Sequence, residues 1–96
     1  MLPLPFDALK IADICRNNDV SSLCLFGSYA RNEETAKSDI DLLVEFSKPK
    51  SLFALVRLER ILSAAIGKKV DLITKASLSP NLRDRILNKL RTIFEA

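Results

Sequence analysis

The segment at residues 39–46 places the tightest constraint on the fold, because its apolar side chains recur at every second position. In an extended strand, successive side chains point to opposite faces of the sheet. One face of this strand is therefore apolar and carries Ile40, Leu42, Val44 and Phe46. The other face begins with two acids and carries Asp39, Asp41, Leu43 and Glu45. Such a strand requires a second layer that covers its apolar face.

Helical and extended patterns alternate along the rest of the chain. The predicted elements are a helix over 5–17, a strand over 22–26, a helical turn over 29–33, a loop over 34–38, the strand over 39–46, a helix over 52–66 ending at Gly67, a strand over 68–74, and a last helix that begins at Ser79-Pro80 and carries Leu82, Ile86, Leu90 and Ile93. This order predicts an α+β (mixed α/β) fold, in which a small sheet has helices packed on one face.

Length and composition exclude several classes of protein. Ninety-six residues suit a single domain over residues 1–96. The absence of histidine excludes Ser-His-Asp triads and His-ligated zinc. Cys15 and Cys24 are not in a CxxC arrangement, so we expect free thiols in a reducing cytoplasm. No signal peptide is recognisable, and the longest uncharged run, residues 20–30, is too short to cross a membrane.

The formal net charge of +3 is unevenly distributed along the chain. Residues 51–96 hold nine basic and four acidic side chains, a net charge of +5. This excess is typical of solvated helix faces, and it would also attract an acidic partner or a polyanion. Aromatic residues are not interleaved with the basic ones, so a nucleic-acid surface is the less favoured interpretation.

The most informative motif is a Gly27-Ser28 pair followed by ten residues and then Asp39-Ile-Asp41. The two aspartates lie at i and i+2, so their carboxylates leave the same face of a strand about 7 Å apart. Carboxylates at this spacing are suited to divalent cations such as Mg²⁺. Gly27 allows a ligand to approach the backbone closely, and Ser28 adds a hydroxyl and an amide at the start of a helical turn. Both are features of phosphate-binding loops.

A third acid, Asp71, has the same phase in the next predicted strand, because apolar residues flank it as they flank Asp41. If the two strands pair side by side, Asp71 completes an acidic triad. The alternative is a surface ion pair between Asp71 and the neighbouring Lys68 or Lys69. A triad beside the glycine-serine pair would hold a nucleoside triphosphate and two metal ions for in-line displacement at phosphorus.

These motifs resemble the minimal nucleotidyltransferase (MNT) family of the DNA polymerase β superfamily. The resemblance covers residues 5–94 and rests on the Gly-Ser-x10-Asp-x-Asp pattern, the preceding Leu-Cys-Leu-Phe strand, the Ser-Asp-Ile-Asp-Leu-Leu-Val segment and the later Val-Asp-Leu-Ile strand. It implies a minimal polymerase-β-like palm.

The resemblance also implies a role for each matching residue. Gly27 and Ser28 would contact the triphosphate of ATP, and the metal ligands for two Mg²⁺ ions would be Asp39, Asp41 and Asp71. Asp71 would in addition help to activate the attacking hydroxyl. Arg31 matches an arginine that is common in the family and that contacts phosphate or braces the acidic loop. Tyr29 and Asn32 depart from the family pattern, in which arginine and glycine are frequent at these positions.

A chain of this size has a palm but no room for a second domain that binds the acceptor. Stand-alone MNT proteins typically pair with a HEPN-domain toxin, so the resemblance implies an antitoxin that transfers AMP from ATP to a tyrosine hydroxyl of that toxin. Two alternatives stay open: a non-catalytic antitoxin that masks its toxin by binding, and a nucleotidyltransferase for a small molecule or RNA. Uncovered edges of the palm are compatible with a homo- or hetero-oligomer.

Overall fold

The computed structural model describes residues 6–26, 39–77, 80 and 90–96. In chain order the elements are α1 (Ala8–Asn17), β1 (Val20–Phe26), β2 (Ile40–Phe46), α2 (Leu52–Ile66), β3 (Val70–Thr74), a 3-10 turn (Lys75–Ser77) and β4 (Arg91–Glu95). The helical turn expected over 29–33 and the loop expected over 34–38 lie outside the described residues, as do most residues of the expected last helix.

The four strands form one mixed sheet in the order β3-β2-β1-β4. β1 pairs with both β2 and β4 in antiparallel orientation, whereas β2 and β3 are parallel. Parallel neighbours need a crossover connection, and α2 provides it between β2 and β3. This sheet with two helices confirms the predicted α+β (mixed α/β) class.

The first helix begins three residues later than the sequence predicts. The side chain of Asp7 caps it, accepting hydrogen bonds from the N–H groups of Leu9 at 3.0 Å and Lys10 at 3.4 Å. An aspartate at this position satisfies donors that the first turn would otherwise leave unpaired. The predicted end of α1 at Asn17 is confirmed.

The second helix is confirmed at both ends. The hydroxyl of Ser51 accepts a hydrogen bond from Ala54 N–H at 3.2 Å, which caps the start of α2. Gly67 ends the helix in the left-handed region at φ 80°, where a residue without Cβ is favoured, and its N–H donates to the Ser63 carbonyl at 2.8 Å. Both signals are local, so they can be read from the sequence.

Both helices pack on the same face of the sheet, which we call the helix face. Its core joins side chains of all four strands to those of α1 and α2, and it contains Ile11, Cys15, Val20, Leu23, Leu25, Ile40, Leu42, Val44, Leu58, Leu62, Val70, Leu72 and Phe94. The predicted alternation of β2 is confirmed, because its apolar set lies in this core and Phe46 packs against it.

The opposite side of the sheet, which carries Asp41 and Asp71, is called the acidic face here. Cys24 and Leu43 are buried on it, and the side chains of Phe26, Ile73 and Leu90 pack against them. This second cluster is small. The acidic face therefore combines an apolar centre with charged groups near the start of β2 and β3.

The prediction of a helix as far as Ile93 is wrong, because residues 91–95 form strand β4. β4 pairs with β1, and Phe94 lies opposite Leu23. The helical spacing of the apolar residues carried the predicted helix into this segment, although the Thr-Ile-Phe run is rich in residues that favour strands. The open edge of β1 provides the backbone partners, and no local sequence signal reports them.

The remaining strand boundaries differ by one or two residues from the predicted ones. β1 begins at Val20, β2 at Ile40 and β3 at Val70.

In the part of the chain that the structure describes, no helix has both the length and the apolar character needed to cross a membrane.

Candidate active site

Asp41 and Asp71 are directly paired in the register of the two parallel strands. Asp41 lies opposite Asp71 on one side and opposite Phe26 of β1 on the other. Adjacent strands lie about 4.8 Å apart, so the two aspartates are neighbours on the acidic face. The side-by-side arrangement of the strands was a condition of the predicted triad, and the structure meets it.

Asp39 directly precedes β2 and forms an ion pair with Lys69. Its Oδ2 lies 3.8 Å from the Lys69 ammonium, and 41% of the Asp39 side chain is exposed. The backbone fixes this proximity, because the Ile40 N–H donates to the Lys69 carbonyl at 2.9 Å. The Lys69 side chain therefore meets Asp39 and not Asp71, the partner considered in the alternative interpretation of Asp71 as a surface ion pair.

The three acids are not gathered into a ready metal-binding cluster. Among residues 6–26, 39–77, 80 and 90–96, no three His, Cys, Asp or Glu side chains are grouped so as to hold a metal ion. The donor chemistry nevertheless fits Mg²⁺, which prefers carboxylate oxygens and keeps several waters. Asp41 and Asp71 supply two such carboxylates in register, and the exposed Lys69 contact is of a kind that is weak in water.

The predicted phosphate-binding residues Gly27, Ser28 and Arg31 lie outside the described residues. The same holds for Tyr29 and Asn32, the two departures from the family pattern. Gly27 follows Phe26 directly in the chain. The glycine-serine motif therefore begins one residue after the β1 position that lies opposite Asp41.

Side chains cap the outer edge of β3, a feature that sequence reasoning missed. Alternate N–H groups of this edge strand have no strand partner on that side, and an uncovered edge of this kind invites pairing with another chain. The N–H of Val70 donates to Ser63 Oγ (3.1 Å), that of Leu72 to Glu59 Oε2 (3.0 Å) and that of Thr74 to Ser77 Oγ (3.1 Å).

Two of these caps come from α2 and lie on either side of Asp71 in the strand. Glu59 and Ser63 are four residues apart, so they share one face of the helix. They bind α2 to the backbone positions before and after Asp71, which fixes the strand that presents this carboxylate. The i, i+4 spacing of two acceptors on an otherwise apolar face is the signal that would have revealed them.

Both cysteines are free thiols, as predicted. Cys15 is fully buried in the helix-face core, and this burial raises the pKa of its thiol to about 11. Cys24 lies on the acidic face, where its Sγ is 3.8 Å from Thr92 Oγ1.

A family model described as "Nucleotidyltransferase domain" matches residues 9–93. A candidate protein adenylyltransferase of Methanocaldococcus jannaschii is 51% identical over 80 residues, which cover 83% of this chain and 86% of that protein. The protein adenylyltransferase MntA of Thermococcus cleftensis is 38% identical over 71 residues, covering 74% of this chain and 72% of MntA. Three further M. jannaschii relatives are matched over only 60% of their own length.

Solved structures resemble this chain along nearly all of its length. A toxin-antitoxin crystal structure with AMP-PNP has a TM-score of 0.80 at 26% identity, covering 95% of this chain and 75% of the other. A complex of a tri-AMPylated HEPN toxin of Shewanella oneidensis with its MNT antitoxin has a TM-score of 0.69 at 25% identity, covering 93% and 70%.

Proposed function

This chain belongs to the nucleotidyltransferase domain family, and we propose that it acts as an antitoxin that transfers AMP from ATP to a HEPN-domain toxin. The acceptor in this proposal is a tyrosine hydroxyl of the toxin, and the reaction requires Mg²⁺. The observation that carries the proposal is the register pairing of Asp41 with Asp71 at the start of two parallel strands.

The reaction is an in-line displacement at the α-phosphorus of ATP. The tyrosine oxygen forms a bond to the α-phosphorus, the bond from this phosphorus to the bridging oxygen breaks, and pyrophosphate leaves. A carboxylate beside the hydroxyl accepts its proton, and Asp71 is the residue that we assign to this step. Bound Mg²⁺ would supply charge neutralisation for the developing negative charge.

The other residues have binding roles in this proposal. Asp39, Asp41 and Asp71 would hold the metal ions, and the exposed contact of Asp39 with Lys69 is weak enough to leave this carboxylate available. Gly27 and Ser28 bind the triphosphate. Arg31, which follows in the same motif, contacts phosphate.

The comparisons support the choice of substrate and partner. One solved relative binds AMP-PNP, an analogue of ATP. Another is complexed with a HEPN toxin that carries three AMP groups. The free thiols suit the reducing cytoplasm, which is also where we place the reaction.

The test is intact-mass spectrometry of the protein encoded by the adjacent gene, which the proposal expects to be a HEPN-domain toxin, after incubation with the chain, Mg²⁺ and ATP. We expect a mass gain of one or more AMP units, and tandem mass spectrometry should place them on tyrosine. The double variant Asp39→Asn, Asp41→Asn should give no gain. Glu45→Gln serves as the matched control, because it removes an acid from the far end of β2 and should leave the gain unchanged.

A non-catalytic antitoxin is the second candidate, and the exposed apolar side chains at the start of α2 favour it. It predicts that the double variant still relieves growth arrest when it is co-expressed with the toxin. Persistence of the AMP gain with the double variant would instead disprove the assigned carboxylate roles. Labelled ATP incubated with RNA or small hydroxylated compounds tests the remaining acceptor classes.

A further inference from the structure

The first half of α2 carries an exposed stripe of three apolar and two basic residues. Phe53 is 85% exposed, Leu52 73% and Val56 42%. Together with Arg57 and Arg60 they line an open groove of about 420 Å³. We call these five residues the α2 stripe.

The composition of the α2 stripe is that of a binding surface. Phe53, Val56, Arg57 and Arg60 follow the i, i+3, i+4, i+7 spacing of one helix face, whereas the opposite face of α2 is buried in the core. Aromatic and arginine side chains dominate the binding energy of protein interfaces. Isolated surface leucines are ordinary, but a contiguous apolar row beside arginines marks an interaction site.

The two arginines determine the chemistry of the occupant. Within the described part of the chain, no ion pair is formed by Arg57 or Arg60, although the exposed Arg16 pairs with Asp13 at 2.7 Å. A second copy docked through the same stripe about a two-fold axis would bring four guanidinium groups and no stripe carboxylate into the interface, and this uncompensated positive charge opposes such a dimer. The stripe is therefore complementary to a surface that has an apolar pocket bordered by carboxylates.

We propose that the α2 stripe is the docking surface for the acceptor protein, which presents an apolar pocket with an acidic rim. This inference rests on the proposed function, because it assumes a protein acceptor. A stable interface buries about 800 Å² on each partner, more than five side chains provide. The contact must extend beyond the stripe, with Phe53 and the arginines as its anchors.

The stripe lies far from the candidate active site. α2 starts beyond the carboxyl end of β2 and runs back to the start of β3, where Asp71 lies. From Val56 to Gly67 the helix rises about 16 Å. Because α2 covers the helix face while Asp41 and Asp71 lie on the acidic face, the docked protein must reach around the edge of the sheet as well as along it to bring its acceptor hydroxyl to these carboxylates. Docking is therefore separable from nucleotide binding.

The test compares two stripe variants with two matched controls on α1. Phe53→Ser and the double variant Arg57→Glu, Arg60→Glu alter the stripe. Leu9→Ser removes another exposed apolar side chain, 78% exposed, and Lys10→Glu reverses another exposed charge. Calorimetry measures the Kd for the HEPN-domain protein that the proposed function expects as acceptor, and a fluorescent ATP analogue measures nucleotide affinity.

We expect both stripe variants to raise the Kd at least tenfold, while the controls stay within twofold of the wild type. The arginine variant should also lose most of the salt dependence of binding. Nucleotide affinity should be unchanged in all four. Equal Kd values for all variants would overturn the inference, and so would a stripe-dependent dimer in analytical ultracentrifugation or stripe-dependent binding to phosphatidylglycerol vesicles.

The docking inference and the proposed function can fail separately. A wild-type chain that binds the HEPN protein through the stripe but adds no AMP would refute the enzymatic proposal alone. A chain that modifies the HEPN protein, with stripe variants equal to the wild type in Kd, would refute the docking inference alone. A HEPN protein that is neither bound nor modified would refute both.

Discussion

Replacing Glu59 by alanine is expected to loosen β3 next to Asp71. Glu59 Oε2 accepts a hydrogen bond of 3.0 Å from the N–H of Leu72, and Leu72 is only 5% exposed. Without the carboxylate, this buried N–H on the edge of the sheet loses its acceptor. The strand that presents Asp71 then keeps the Ser63 cap on one side of it and loses the cap on the other.

The size of the effect follows from the type of hydrogen bond. A bond to a charged acceptor contributes about 1.5–3 kcal/mol, and partial exposure of Glu59 reduces this to about 1–2 kcal/mol. For a domain of this size, each kcal/mol corresponds to roughly 4–8 °C in melting temperature. Glu59→Ala should therefore lower the Tm by about 5–15 °C. Glu59→Gln keeps an acceptor oxygen and should lose roughly half as much.

The assay combines thermal denaturation with amide hydrogen exchange measured by NMR. The Leu72 amide should exchange about tenfold faster in Glu59→Ala, as expected for a loss near 1.4 kcal/mol. Glu45→Ala is the matched control, because the side chain of Glu45 forms an exposed ion pair with Lys75, and its loss should change the free energy of unfolding by about 1 kcal/mol or less. If Glu59→Ala leaves both the Tm and the Leu72 exchange rate as in the wild type, the capping argument is wrong.

Three further substitutions or conditions test the packing and the caps. Leu62→Ala leaves a cavity at a fully buried core position and should lower the free energy of unfolding, measured by urea denaturation, by about 2–5 kcal/mol. The Cβ added by Gly67→Ala meets no atom within 4 Å, but residue 67 must keep φ near 80°. Backbone strain should therefore lower the free energy of unfolding by about 1 kcal/mol, which urea denaturation also measures. The Cys15 pKa is raised by burial from 9.0 to about 11, so its thiol should resist Ellman's reagent at pH 8 until the chain unfolds. Because the folded pKa is the higher one, stability should fall as pH rises from about 9 to 11.

Local signals predicted the elements that local chemistry controls. Ser51 and Gly67 delimit α2 through a side-chain cap and a left-handed residue, and both act within one turn of the helix. The alternation in β2 identified its buried face, because strand side chains have a strict period of two. Asp71 was predicted to share the phase of Asp41, and the structure places the two in register.

Other features depend on partners that are remote in the chain. β4 forms because β1 has an open edge for it, about 70 residues away in sequence, and the helical spacing of its apolar residues gave no indication of this. The cap of Leu72 by Glu59 depends on how α2 lies against β3, and the Lys69 contact with Asp39 depends on strand pairing.

The sequence alone determined the limits of α2, the buried face of β2 and the family motif, since each of these follows from residues close together in the chain. Tertiary structure alone decided which strands became neighbours. That choice places Asp41 beside Asp71, directs the lysine ammonium to Asp39 and caps the edge of β3 with side chains of α2. Strand pairing joins backbone groups across long separations, so its outcome depends on the whole chain and not on a local pattern.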